Sequence, residues 1–229
     1  MLYAVGDIHG EWEMLDELLA SVPHEPGDRF VFVGDYVDRG PDARRVVDRL
    51  LAFSRERECV FLLGNHESMF LDFLGWRGAH YFGGDAFLVN GGDRTLASYG
   101  WFGERSERGK GFDLPPAHAD FYRGLRLFHQ EGDYLFVHAG LGPRGLQSGD
   151  LGYALRMSRP EDLLWNRSTH DLPHNLGITV VYGHTPSRDF GVRWNEPFSI
   201  GIDTGATYGG PLTAIRLPDE TILQGHSAA

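Results

Sequence analysis

Short apolar runs alternate with longer stretches in which apolar residues recur every three or four positions, and the alternation holds over residues 1–75. Residues 2–5, 29–33 and 59–63 are mostly continuous apolar runs of strand length. Between them, residues 11–22 place Trp12, Leu15, Leu18, Leu19 and Val22 on one helical face. Residues 41–57 do the same with Val46, Val47, Leu50 and Leu51. Pro41 stands near the start of that helix, where its missing N–H costs no hydrogen bond. A further helix is predicted over residues 65–75. Strand–helix units of about thirty residues predict right-handed parallel crossovers.

The texture changes after that. Residues 78–111 are rich in glycine and aromatics (Tyr81, Phe82, Phe87, Tyr99, Trp101, Phe102), with mixed charge over residues 104–110. They are read as an insertion or cap containing a helix near residues 94–99. A helix over residues 117–123 follows. Residues 126–129 and 134–138, separated by Glu131-Gly132-Asp133, predict a hairpin. Strands are also expected at 178–182, 191–194, 198–202, 212–217 and 221–223. A parallel first half and an antiparallel second half suggest one α/β domain spanning residues 1–229, with two packed sheets and helices outside.

Composition narrows the function. At 229 residues the chain can bury a full core. A formal net charge of -11 and a pI near 5.4 argue against general nucleic-acid or anionic-membrane binding. Bound cations would reverse that sign locally, so an anionic substrate stays open. Cys59 is the only cysteine, in an apolar run that suits a small core residue. The N-terminus lacks a secretory pattern and no apolar run reaches membrane-span length, so a cytoplasmic location is expected.

The chemistry lies at the ends of the predicted strands. Five motifs stand there: Gly6-Asp7-Ile8-His9-Gly10, Gly34-Asp35-Tyr36-Val37-Asp38-Arg39-Gly40, Gly64-Asn65-His66-Glu67, Val137-His138-Ala139-Gly140 and Gly183-His184-Thr185. Open α/β sheets bind ligands at the carboxyl ends of their strands. Carboxylate, amide oxygen and imidazole together suit divalent first-row metals. Asp7 and His9 can reach one ion, Asp35 is the natural bridge to a second, and Asn65, His138 and His184 would complete that second ion. Two adjacent cations generate a hydroxide near neutral pH that can attack phosphorus in line. His66 is placed to protonate the leaving oxygen, with Asp38 holding its other nitrogen. Arg39 offers a planar fork for phosphate. Of the other histidines, His24, His118, His170, His174 and His226 are expected to be solvated, and His129 to pack at a strand end.

These motifs resemble the calcineurin-like metallophosphoesterases, in their phosphoprotein phosphatase branch, beside the symmetrical diadenosine tetraphosphate hydrolases. The resemblance extends through Asn90-Gly91-Gly92, Trp165-Asn166-Arg167, Ile202-Asp203-Thr204-Gly205-Ala206 and Gly209-Gly210-Pro211-Leu212-Thr213. It implies an αββα sandwich of two mixed sheets. It implies Asp7, His9 and Asp35 on one metal and Asp35, Asn65, His138 and His184 on the other. Manganese is the implied ion, with iron or zinc as alternatives. It also implies that Arg167 joins Arg39 on the phosphate oxygens, a role carried by the resemblance alone. Pro186 stands where many phosphodiesterases of the superfamily have a second histidine, which counts against that branch. Leu63 stands where protein phosphatases usually have arginine; in that the chain resembles the diadenosine hydrolases. Asp38, which those hydrolases typically replace with alanine, points the other way.

The first expectation is therefore a metal-dependent phosphatase of phosphoserine or phosphothreonine proteins, with phosphotyrosine a further candidate. The substrate partner would be a phosphoprotein or a phosphorylated small molecule. The second is a dinucleoside polyphosphate or nucleotide-cap hydrolase, with the aromatics of residues 81–102 as candidate base-stacking groups. The third, an inactive scaffold, is disfavoured because His66 and all six ligand positions are present.

Overall fold

The computed structural model describes residues 1–23, 25–103 and 108–227; His24 and residues 104–107 of the mixed-charge stretch lie outside them. Two five-stranded sheets form the centre. The first has the order β10 (Thr221–Gly225), β9 (Leu212–Leu217), β1 (Leu2–Val5), β2 (Arg29–Phe32), β3 (Glu58–Phe61). The second runs β4 (Phe128–Glu131), β5 (Tyr134–Val137), β6 (Thr179–Tyr182), β8 (Ser199–Gly201), β7 (Arg193–Asn195). Both are mixed. Strands β1, β2 and β3 are mutually parallel, and β9 and β10 extend them antiparallel. In the second sheet β5, β6 and β8 are parallel, flanked by antiparallel β4 and β7.

That parallel core corrects the expectation of an antiparallel second half. Its crossovers include three helices the periodicity does not predict: α6 (Pro143–Leu146), α7 (Leu151–Met157) and α8 (Pro160–Trp165). Helices of four to seven residues are too short for a 3.6-residue repeat to declare itself. The first sheet is crossed by α1 (Trp12–Ser21) and α2 (Ala43–Phe53), close to the helices read from sequence, with α3 (Asn65–Phe73) following β3.

Side-chain alternation along each strand sorts the core into layers. Leu2 and Ala4 of β1 face the second sheet and join Val31, Phe136, Val181 and Ile200 between the sheets. Tyr3 and Val5 face outward onto Leu15 and Leu18 of α1 and Val46 and Leu50 of α2. On the far side Leu135 and Val180 pack against Leu146, Ala154 and Leu163 of the short helices. Within residues 78–111, two single 3₁₀ turns precede α4 (Gly92–Ser98), and Phe87 and Leu96 are buried in the layer of the first sheet's helices. α5 (Pro116–Arg123) closes that side.

His118 and His174 are buried, against the expectation of solvation. His118 bridges the Tyr99 hydroxyl (2.7 Å) and Asp48 (2.9 Å), tying α5 to α2. His174 Nε2 donates to the Phe198 carbonyl (3.0 Å). Polar neighbours in sequence mislead here because each ring finds its partner from a distant element. His170 is half-buried and His226 exposed. Among the described residues no helix is long and apolar enough to cross a membrane.

Phe136 tests the intersheet layer, since it is fully buried between the sheets. Phe136→Ala should lower unfolding free energy by about 3–5 kcal/mol, read as a lower urea midpoint. A midpoint shift under one-third of that size would mean the layer is not packed as described.

Candidate metal centre

Each of the six parallel strands delivers one polar residue just past its carboxyl end. Asp7 follows β1, Asp35 follows β2 and Asn65 follows β3; His138, His184 and Asp203 follow β5, β6 and β8. All six are buried. The two sheets therefore face each other with three donors apiece, and the five sequence-predicted ligands among these six converge. The sixth, Asp203, has no role in the sequence reading. It follows a predicted strand just as Asp7 does, and that spacing is the available signal.

Non-glycine residues with left-handed backbone concentrate here: His9 (φ 48°), Asp35 (φ 54°), Asp38 (φ 71°), Arg39 (φ 70°) and His184 (φ 63°). Such conformations cost on the order of 1 kcal/mol or more each and persist only where surroundings hold them. Glu67 supplies the main hold. Its Oε2 accepts the N–H of Asp35 (2.9 Å) and of Gly64 (3.0 Å), and its Oε1 those of Tyr36 (2.7 Å) and Val37 (3.1 Å). Burial, followed by the Asp35 charge, raises this carboxyl, and the main-chain N–H donors pull it back toward the anion. The donors prevail, because both oxygens are occupied by N–H groups and a carboxyl proton would have no acceptor. The Asp35 carbonyl in turn accepts the N–H of Ile8 and of His9, joining the first two motifs.

Two glycines give the ligands room. A Cβ on Gly64 would lie 2.1 Å from Asp35 Oδ1, and one on Gly183 would lie 2.0 Å from Asp7 Oδ1. The Gly-Asn-His and Gly-His motifs therefore begin with glycine for steric reasons.

The donor atoms point lone pairs at one another. His138 Nδ1 donates to the Val33 carbonyl (2.8 Å), which leaves Nε2 unprotonated. That nitrogen lies 2.9 Å from Asn65 Oδ1 and 3.4 Å from Asp35 Oδ1, and Asn65 Oδ1 is also 2.8 Å from His184 Nδ1. His9 Nδ1 donates to the Val37 carbonyl (2.9 Å), leaving Nε2 3.5 Å from Asp35 Oδ2. Asp7 Oδ2 accepts the His184 N–H (2.9 Å), while its Oδ1 is buried without a partner among the described residues. Acceptors facing acceptors are unfavourable unless a cation lies between them.

The charges agree. Burial, followed by Asp203 and Asp35, raises the Asp7 carboxyl well above its usual range; burial lifts Asp203 to about 6. Burial and then His138 bring His184 down to about 2, so its imidazole is neutral, the metal-binding form. Two tight groupings, His9–Asp35–His66 and Asp35–His138–His184, share Asp35, and in each the donor atoms lie within 4.8 Å of one another. This donor set fits two divalent cations.

His66 is the third member of the first grouping, its ring edge-on to His9 with centroids 4.6 Å apart. Its Nδ1 bonds Asp38 Oδ2 at 2.6 Å. Burial opposes the imidazolium, but the Asp35 charge and then the Asp38 hydrogen bond outweigh it, and the pKa is raised. The other oxygen of Asp38 accepts from the Thr95 hydroxyl (2.6 Å), which itself accepts the Asp38 N–H (2.8 Å). Sequence reasoning misses Thr95, which comes from α4; nothing in its local sequence marks it. Arg39 Nη1 lies 2.9 Å from His9 Nε2 and donates to it, and its guanidinium lies over the Tyr208 ring, 5.4 Å from the centroid. Arg167 is exposed, and its charge is felt at His138, His184 and Asp203. Asn166 shapes the turn that carries it, with Oδ1 accepting the Ser168 N–H (2.8 Å).

The sequence profile of the calcineurin-like phosphoesterase family matches residues 2–227. An asymmetrical bis(5'-nucleosyl)-tetraphosphatase of Anoxybacillus flavithermus is 28% identical over 97% of this chain and 93% of its own length. A symmetrical bis(5'-nucleosyl)-tetraphosphatase of Nitrosospira multiformis is 26% identical over 97% and 94%. Among solved structures, one provisionally described as a diadenosine tetraphosphatase superposes with a TM-score of 0.67 at 23% identity, over 100% of this chain and 94% of that one. A cold-active protein-tyrosine phosphatase of a psychrophilic Shewanella shares the fold at a TM-score of 0.59 and 17% identity, over 98% and 80%.

Glu67→Gln keeps the shape of the clamp but sets an amide N–H₂ against two main-chain N–H groups. Unfolding free energy should fall by about 3 kcal/mol, and manganese affinity by about 10- to 100-fold, measured by denaturant titration and calorimetry. Unchanged values in both would show that the four hydrogen bonds do not hold the turn.

Proposed function

This chain belongs to the calcineurin-like phosphoesterase family, and from that premise we propose that its centre hydrolyses the phosphoanhydride chain of dinucleoside polyphosphates. The coarser activity, a metal-dependent phosphoester hydrolase, follows from the family itself. What carries the finer reading is the end-to-end similarity to relatives named bis(5'-nucleosyl)-tetraphosphatases. Leu63 supports it: the position before Gly64 is buried, and its side chain supplies no cation for a phosphate.

In this reading the whole chain is one catalytic domain. Asp7, His9 and Asp35 would hold one divalent ion, and Asp35, Asn65, His138 and His184 the other, with manganese the proposed metal. Bound there, the ions would supply hydroxide from solvent at neutral pH and offset phosphate charge. The protein's own contribution is placement. Asp35 offers one oxygen to each grouping. Asp38 holds His66 Nδ1, so the proton available to a leaving oxygen sits on Nε2. Thr95, within residues 78–111, fixes Asp38, so that segment buttresses the acid. Arg39 and Arg167 are the cations that phosphate oxygens would meet.

One observation favours a second reading, the phosphoprotein phosphatase. The buried His66–Asp38 pair suits an alkoxide leaving group, which needs a proton far more than a departing nucleotide does.

A manganese-activated panel separates the two. Diadenosine tetraphosphate should be hydrolysed with higher kcat/KM than a phosphoserine peptide, and chromatography of ADP against ATP plus AMP reads which bond is cut. The reverse order of rates returns the assignment to the phosphoprotein phosphatase.

His66→Asn should retain manganese yet slow a phosphoserine peptide by about 100-fold or more. The loss on diadenosine tetraphosphate should be smaller, since its leaving group departs without a proton. Equal losses would remove His66 as the proton donor.

A further inference from the structure

Tyr208 is an anomaly among the aromatics near the centre. Tyr36, Tyr122 and Tyr182 are fully buried, whereas Tyr208 is 53% exposed. Its position is nonetheless fixed. It ends a single 3₁₀ turn, Ala206–Tyr208, bounded by Gly205 (φ 73°) and Gly209 (φ 93°). The Tyr208 N–H and the Gly210 N–H both donate to the Gly205 carbonyl, at 2.8 and 3.0 Å. Phe190 packs so closely beneath that a Cβ on Gly205 or Gly210 would lie 2.8 Å from its ring. The turn is also tied to the centre, because the Gly205 N–H donates to Asp203 Oδ1 (3.0 Å).

A rigid turn thus holds a large aromatic ring half out in solvent. The ring lies against the Arg39 guanidinium, which itself reaches His9 Nε2. Arg39 takes up one part of the ring, and the exposed remainder is available to a planar ligand. A substrate whose phosphates lie at the metal groupings would bring its first nucleoside to this rim. Among the aromatics of residues 81–102, Phe87 is buried and Tyr81 and Trp101 are packed against the core, while the exposed Phe102 lines a pocket with Leu88, Asp93, Leu96 and Trp101 that includes no residue of the metal centre.

We propose that Tyr208 is the stacking platform for a nucleobase of the substrate and so sets preference for nucleotides over base-free phosphates. This rests on the dinucleoside polyphosphate reading, and it assigns specificity rather than chemistry. Stacking of a base on an aromatic ring tolerates any base, because every base presents a π-face. The expected consequence is a demand for a nucleoside without a strong preference among nucleosides.

The test compares ligands that differ by the nucleoside alone. Dissociation constants of ADP and inorganic pyrophosphate are measured by calorimetry on the manganese-loaded full chain, at fixed free manganese. In Tyr208→Ala the constant for ADP should rise about 5- to 150-fold, and that for pyrophosphate by much less. Tyr208→Trp should restore ADP binding, which a role in merely propping Arg39 would not require. Equal weakening of both ligands would make Tyr208 a support for Arg39, and unchanged ADP binding would remove it from the site; either result overturns the proposal. Failure to cleave diadenosine tetraphosphate, with a selective loss of ADP binding in Tyr208→Ala, would sink the substrate reading and leave the platform standing.

Discussion

Three main-chain N–H groups of the turn after β2 and one from the residue before α3 converge on the carboxylate of Glu67, a side chain with no exposure to solvent. The left-handed conformation at Asp35 depends on that convergence, and the position of both Asp35 oxygens depends on the conformation. Asp35 in turn belongs to both donor groupings. The same turn continues to Asp38 and Arg39, so the partner of His66 and the guanidinium beside His9 inherit their placement from it. A single acidic group two residues beyond Asn65 thus fixes the arrangement of several others without touching substrate.

The second constraint is electrostatic. Asp7, Asp35 and Asp203 are buried together; burial keeps the His9, His138 and His184 imidazoles neutral, and main-chain carbonyls fix the tautomers of His9 and His138. Such a cluster is unfavourable in a low-dielectric interior unless cations balance it. An acidic chain is consistent with an anionic substrate on these terms, because ions bound at the centre would bring positive potential there, and net charge is no guide to it.

Much of this is legible in the sequence. The first three helices declare themselves because they run to about ten residues, enough for an apolar stripe to repeat. The five candidate ligands at strand ends are legible because each follows an apolar run within two residues. What escapes reading depends on contacts between distant segments. Asp203 obeys the strand-end spacing but lacks a histidine neighbour to draw notice. Glu67 looks like the tail of a motif and is its organiser. Thr95 meets Asp38 across 57 positions, and His118 meets Asp48 across 70; neither has a local mark. The short helices between β5 and β6 leave no periodic trace, so three parallel strands read as antiparallel. The contacts of Arg39 with His9 and Tyr208 are set by side-chain geometry that no motif spells out.

The hydrogen bond from the His184 N–H to Asp7 spans 177 residues, and each sheet contributes half of the converging donors. A ribosome must therefore deliver nearly the entire polypeptide before the chemistry can exist. Until then the earliest-made acidic groups have no imidazoles opposite them. The centre is divisible along the gene but not in space, so a fragment ending before His138 would hold three of the six converging donors and lack the other three.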